Sequence, residues 1–175
     1  MRPKTKRPAP STFGRPAAPP SDDPVARAVG LLARRAHSKW ELRRKLRMKG
    51  FAPEAVDTAM ARLDELGYLD DSSFAKRLVQ RRGAIRGPRA LSAELAARGI
   101  GRADADSAVA EFDIESQLIS ATRLAERLCA RKAGIGYREM LDSVGTKLLR
   151  RGFSAPVVRE ACRLVLSGAA QPPED

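Results

Sequence analysis

The sequence predicts an all-α protein built as three tandem three-helix repeats that form an elongated, curved array. Three observations carry this. Apolar residues recur at spacings of three and four along the body of the chain, with almost no strand-like alternation. A basic residue, a glycine and an apolar residue follow one another at Lys49-Gly50-Phe51, Arg98-Gly99-Ile100 and Arg151-Gly152-Phe153. The segments around these triplets also align column by column, which is the mark of an internal repeat.

Taken in order, residues 1–23 hold six of the twelve prolines together with Arg2, Lys4, Lys6, Arg7 and Arg15, and read as a disordered basic arm. The first repeat, 24–68, is expected to hold helices over 24–36, 38–49 and 53–66. Ser38 and Glu41 have capping-box spacing at the start of the second of these. The second repeat, 69–113, is expected to hold helices over 71–84, 88–98 and 102–112. Asp70 stands as the first N-cap, with Leu69 and Phe74 at hydrophobic-staple spacing. The third, 114–168, is expected to hold helices over 115–132, 137–150 and 155–166, and residues 169–175 read as a frayed tail.

Leu42, Leu91 and Val144 share one column of the repeat, and Leu46, Leu95 and Leu148 the next. Beyond the glycine the register continues through Ala59, Ala108 and Ala161, then Met60, Val109 and Cys162, to Leu63, Phe112 and Val165. The triplet is a helix stop. Its base meets the negative end of the helix dipole, the glycine takes the left-handed conformation cheaply, and the apolar residue packs back onto the helix. With aromatic residues at only 5%, the core is expected to be Leu, Val and Ala, and stacking in series buries faces that one small module leaves open.

Charge narrows the partners. Against 21 acids the chain carries 33 Lys and Arg, a net +12, which draws it toward polyanions. The outer repeats are the more basic, at +5 each (10 basic and 5 acidic residues in both) against +1 for the middle one (8 and 7). No run approaches the ~20 apolar residues of a membrane span, and the start carries no secretory signal, so the chain is expected to be cytoplasmic and unattached to membrane. Cys129 and Cys162 are too few for a disulfide framework or a Cys-rich zinc site and are assigned to packing.

The body of the chain, from Ala28 to Val165, resembles the RecX family, regulators of the bacterial recombinase RecA. The resemblance rests on Leu31-Leu32 to His37-Ser38 with Glu41-Leu42 and Leu46, on Leu66-Gly67-Tyr68-Leu69-Asp70-Asp71 with Phe74-Ala75, and on Glu94-Leu95 with Arg98-Gly99-Ile100. Leu148, Arg151, Gly152 and Phe153 extend it more loosely into the third repeat. The proline-rich arm and Trp40 depart from the family pattern without touching this framework. The resemblance implies a non-enzymatic protein that binds RecA and RecA–DNA filaments, opposes filament extension, and lowers ATP hydrolysis, strand exchange and co-cleavage of the LexA repressor. It also implies weak, non-specific DNA binding by a monomer.

Three basic groups are candidates for partner or DNA contact. On the helix from Ser38, Trp40, Arg43, Arg44 and Arg47 lie broadly opposite Leu42 and Leu46, and an aromatic among arginines makes a contact hot spot. Arg123, Arg127 and Arg131 repeat every four residues opposite Leu124 and Leu128. Arg77, Arg81, Arg82 and Arg86 form the third group. The competing explanations are structural: Trp40 packing against a neighbouring helix, and each arginine lying on a solvated face paired with acids such as Glu126.

Chemistry finds no constellation. His37 reads as a turn residue, Asp70 as a cap and Asp71 as compensation of the helix dipole, so neither metal nor cofactor is expected and no catalytic residue is assigned. The main alternative function is a sequence-specific, helical DNA-binding transcription regulator. Recurrence of the same apolar joint in every module suits a scaffold better than one dedicated recognition helix.

Overall fold

The computed structural model describes residues 23–130 and 134–169. The proline-rich arm up to residue 22, Arg131 and the tail from residue 170 lie outside them. Among the described residues every regular element is helical: α1 (Pro24–Leu32), α2 (Lys39–Met48), α3 (Pro53–Glu65), α4 (Asp71–Arg82), α5 (Pro88–Ala97), α6 (Arg102–Ala110) and α7 (Ile114–Cys129). Next comes a continuous rod of α8 (Tyr137–Met140), a π-helical turn (Leu141–Gly145) and α9 (Thr146–Arg150), followed by α10 (Ala155–Ala169).

These fold as three bundles in series. Extensive helix packing runs α1 to α2 and α3, then α4 to α5 and α6, then α7 to the rod and α10. Each bundle has its own core. The first closes on Ala28, Leu42, Leu46, Val56, Met60 and Leu63, the second on Phe74, Leu78, Leu91, Leu95 and Ala108, the third on Leu124, Val144, Leu148, Phe153, Val158 and Cys162. The aligned leucine columns are therefore the core positions, each buried Leu contributing about 2 kcal/mol by removal from water. Half-buried Phe112 packs against both the second and third cores.

Gly50, Gly99 and Gly152 end their helices at φ of 89°, 72° and 90°, and Gly67 closes α3 in the same way at 72°. The Gly99 and Gly152 N–H groups bond the Ala96 and Leu149 carbonyls, and the Ile100 and Phe153 N–H groups reach back to those of Leu95 and Leu148. This double closure satisfies carbonyls that a helix end leaves open.

Three local expectations need correction. Helix α1 stops at Leu32, four residues short of the expected end, although Ala33-Arg34-Arg35-Ala36 are good helix formers. The segment turns away so that His37 and Ser38 are buried, and tertiary burial overrides propensity. Ser38 does cap α2 by accepting from the Glu41 N–H at 3.0 Å, yet the Glu41 carboxylate bonds side chains instead of returning to the cap. Asp70 caps α4 through Ser73 N–H at 2.9 Å, but Leu69 buries with the first core and Phe74 with the second, so the pair serves two modules in place of a staple.

Candidate functional site

The modules meet by one repeated rule. The N-cap of the second helix in one module docks on the base–glycine stop of the second helix in the next. At the first seam, the Ser38 hydroxyl donates to the Arg98 carbonyl at 2.6 Å, and the Cβ and Cγ of Trp40 lie so close to Gly99 that a Cβ there would stand 2.4 Å from both. At the second, Gly87 N–H donates to the Arg151 carbonyl at 2.8 Å and Arg89 N–H to the Gly152 carbonyl at 3.3 Å. A Cβ on Gly87 would stand 2.3 Å from the Phe153 nitrogen, and one on Gly152 would stand 2.4 Å from that of Ala90. Gly99 and Gly152 are thus required both for chain conformation and for contact between modules, and Gly87, at φ −84°, for contact alone.

A polar network reinforces the first seam. The Glu41 carboxylate accepts from Arg98 at 2.9 Å and Arg35 at 3.2 Å and lies 3.3 Å from His37 Nδ1, while Arg98 also donates to Glu94 at 3.0 Å. Burial alone would raise the Glu41 carboxyl; His37, Arg35 and Arg98 outweigh it and hold it below the usual carboxylate range. Burial pushes His37 below its ordinary value, so the buried ring favours its neutral form. Asp71 also has a different role from the expected one. Its carboxylate, with a pKa raised by burial, accepts from the Lys39 N–H at 2.9 Å and ties α4 to the first turn of α2. His37 keeps its place in the turn before the Ser38 cap and, buried there, also lies against Glu41 of the seam network.

The candidate residues fall on three surfaces. Trp40, Arg43, Arg44 and Arg47 do gather, with exposed Met48, around one shallow depression on the outer face of α2. Arg44 lies over the Trp40 ring at 5.3 Å and Arg43 donates to Asp57 at 3.1 Å. Trp40 combines the two expectations for it: its root packs on Gly99 while 43% of the residue stays exposed.

The second group divides. Arg82 and Arg86 face Glu94 at 3.8 and 3.7 Å, whereas Arg77 and Arg81 line a cleft at the first seam with Arg35 and Arg98. The third divides as well. Arg123 is exposed, Arg127 lines a cleft at the second seam with Arg86, Arg150 and Arg151, and Arg131 lies outside the described residues. No ion pair joins Glu126 to these arginines among the described residues. Sequence reasoning passed over Arg35, Arg98, Arg150 and Arg151 as surface, and Glu41, Glu94 and Asp71 as seam acids. Only the repeat column of bases before glycine could have pointed to Arg98 and Arg151.

No group of three or more His, Cys, Asp or Glu among the described residues is placed to hold a metal ion, and no described helix is long and apolar enough to cross a membrane. Cys162 is fully buried in the third core, where burial pushes its thiol up, and half-buried Cys129 packs against that core. Fold and surface together define a class: a helical-repeat protein of three-helix modules that displays basic faces.

Comparison with known proteins makes the class specific. Residues 25–63 match the family model described as RecX, first three-helix domain. The regulatory protein RecX of Stenotrophomonas maltophilia strain K279a is 36% identical over 86% of this chain and 91% of its own length. The RecX of Xanthomonas axonopodis pv. citri is 37% identical over 82% of this chain and 88% of its own. The crystal structure of RecX from Lactobacillus salivarius superposes with a TM-score of 0.74 at 21% identity, covering 82% of this chain and 95% of that one. The chain belongs to the RecX family of regulatory proteins, which are not enzymes.

Proposed function

We propose that this protein modulates the RecA recombinase, binding RecA and RecA–DNA filaments in the cytoplasm as a monomer. There it opposes filament extension and lowers ATP hydrolysis, strand exchange and LexA co-cleavage. The observation that carries this reading is the family relationship over more than four-fifths of the chain. The molecule agrees in form: linked modules that repeat one surface can engage successive protomers of a polymer, each contact weak and the set strong. The exposed Trp40 with Arg44 and Arg47 gives this array an aromatic–cationic contact face.

Against a sequence-specific duplex reader, the N-termini of α2 and α5, through Ser38 and Gly87, are engaged by the next module, whereas a groove-reading helix offers its N-terminal residues to the bases. The test is titration of the protein into RecA on single-stranded DNA while following ATP hydrolysis. Hydrolysis is expected to fall at substoichiometric amounts, and unchanged hydrolysis with both proteins folded would remove the assignment. Arg44→Glu with Arg47→Glu is expected to weaken inhibition by about tenfold, a loss of about 1.4 kcal/mol of binding. Arg43 is left in place because of its pair with Asp57.

A further inference from the structure

The two seams carry the same cleft twice. At the first, Arg35, Arg77, Arg81 and Arg98 converge over an apolar floor of Phe74 and Leu78, enclosing about 160 Å3. At the second, Arg86, Arg127, Arg150 and Arg151 converge over Ile85 and Leu124 in a wider cleft of about 420 Å3. The repeat relates them. Phe74-Ala75 corresponds to Leu124-Ala125, Arg77 to Arg127, and Arg98 to Arg151 as the base before the positive-φ glycine; Arg35 and Arg86 both come from the linker that precedes a second helix.

Each cleft also holds a buried guanidinium nitrogen with no hydrogen-bond partner among the described residues, Arg98 Nε in one and Arg151 Nη1 in the other. Arg77, Arg81, Arg127, Arg150 and Arg151 make no ion pair there. Arg35, Arg98 and Arg86 are partly neutralised by Glu41 and Glu94. Packing does not explain why the other cations gather beside them twice, around an orphaned donor, because a buried N–H without a partner is unfavourable.

We propose that the seam clefts are a pair of repeat-related subsites for the phosphodiester backbone of nucleic acid, one phosphate group in each. The guanidinium fork matches phosphate oxygens two at a time, and the apolar floor suits the sugar beside them. A nucleic-acid strand presents the same anion at constant intervals, so one cleft design repeated by the fold meets it twice; an acidic protein face has to be matched patch by patch. The clefts contain no side-chain amide, and the chain has no asparagine, so the subsites bind backbone without reading bases. The proposal deepens the polyanion-binding part of the function given above and rests on it only in that respect.

The test is fluorescence anisotropy of a labelled deoxythymidine oligonucleotide over a range of salt, with the full chain. Arg77→Ala with Arg127→Ala, both exposed and unpaired, is expected to weaken binding about tenfold. It is also expected to flatten the plot of log affinity against log salt by about 1.4, at about 0.7 per lost phosphate contact on a single strand. Each single change is expected to give about half the loss of slope. A control removing equal charge elsewhere, Arg102→Ala with Arg163→Ala, is expected to leave affinity and slope close to those of the unaltered chain.

Equal losses in the control, or an unchanged affinity and slope in the cleft variant with its helical content intact, would overturn the proposal. So would retained DNA binding together with lost association to the RecA filament, which would assign the clefts to protein carboxylates. If the unaltered chain binds DNA through the clefts yet leaves RecA hydrolysis unchanged, the function fails and the clefts stand.

Discussion

At the scale of single residues, glycine separates two requirements that a sequence writes with one letter. Gly50 and Gly152 both sit near φ 90°, but a Cβ on Gly50 meets nothing within 4 Å whereas one on Gly152 meets the Ala90 backbone at 2.4 Å. Gly50→Ala therefore incurs only left-handed strain, about 1 kcal/mol. Gly152→Ala adds a clash that no side-chain rotation relieves and is expected to destabilise by roughly 3 kcal/mol. Urea unfolding of the two variants checks this, and equal midpoints would show that the second seam does not press on the glycine. Trp40 illustrates the same limit of sequence reading. Its place on the outer wheel of α2 was legible, but that its root would rest on Gly99 of the next module was not, because that contact spans two bundles.

At the scale of elements, the helix ends were the most legible features and the seams built on them the least. Base, glycine and apolar residue mark a stop through local chemistry alone. The partner of that stop, the N-cap of the preceding module's second helix, lies about one repeat away. For this reason Glu41 and Asp71 were assigned to their own helices, although they bond Arg98 and Lys39 across the first seam.

A pH dependence follows from that network. In the folded chain His37 titrates below its usual value near 6.5, so as pH falls below that value the unfolded chain takes up the proton first and stability declines. Glu41, also held low, adds a second loss as pH falls further through the carboxylate range. Melting temperature is expected to drop from neutral pH toward about pH 4 in these two stages. Glu41→Gln is expected to cost about 2 kcal/mol at neutral pH and to shrink the second stage, leaving the part that comes from the N-caps Asp70 and Asp113, whose carboxyls are also held low by Ser73 and Ser116. A melting temperature that does not vary over this range would show that the network carries no weight.

At the scale of the whole molecule, three cores joined by two narrow seams make a chain whose cooperativity depends on those seams. In a serial array, stability is a sum of module and interface contributions, and weakening an interface lets neighbours unfold separately. Ser38→Ala with Glu41→Ala is expected to split a single calorimetric transition into two, the first module melting earlier. One unbroken transition at lower temperature would mean that burial, chiefly at Leu69 and Asp71, couples the modules instead. The third module departs from its fellows: Gly136 and Gly152 lie sixteen residues apart where Ser38 and Gly50, like Gly87 and Gly99, lie twelve apart. The added turn is wound partly as a π-helix, and it places Met140, inside a continuous helix, where the other modules have an N-cap. That arrangement leaves no N-cap at this register to receive a fourth module.

By itself the sequence determined the helical class, the threefold repeat, the core columns and the stops, because each depends on spacing within one helix or on the backbone freedom of one glycine. It also determined the net charge of +12, which favours polyanions, since charge is counted without regard to place. Only the tertiary structure decided which arginines meet. It sent Arg82 and Arg86 toward Glu94, brought Arg77 and Arg81 together with Arg35 and Arg98, and set Arg127 beside Arg150 and Arg151. The physical reason is distance along the chain: side chains a repeat apart become neighbours only when one bundle docks on the next, and no periodicity within a helix records that approach.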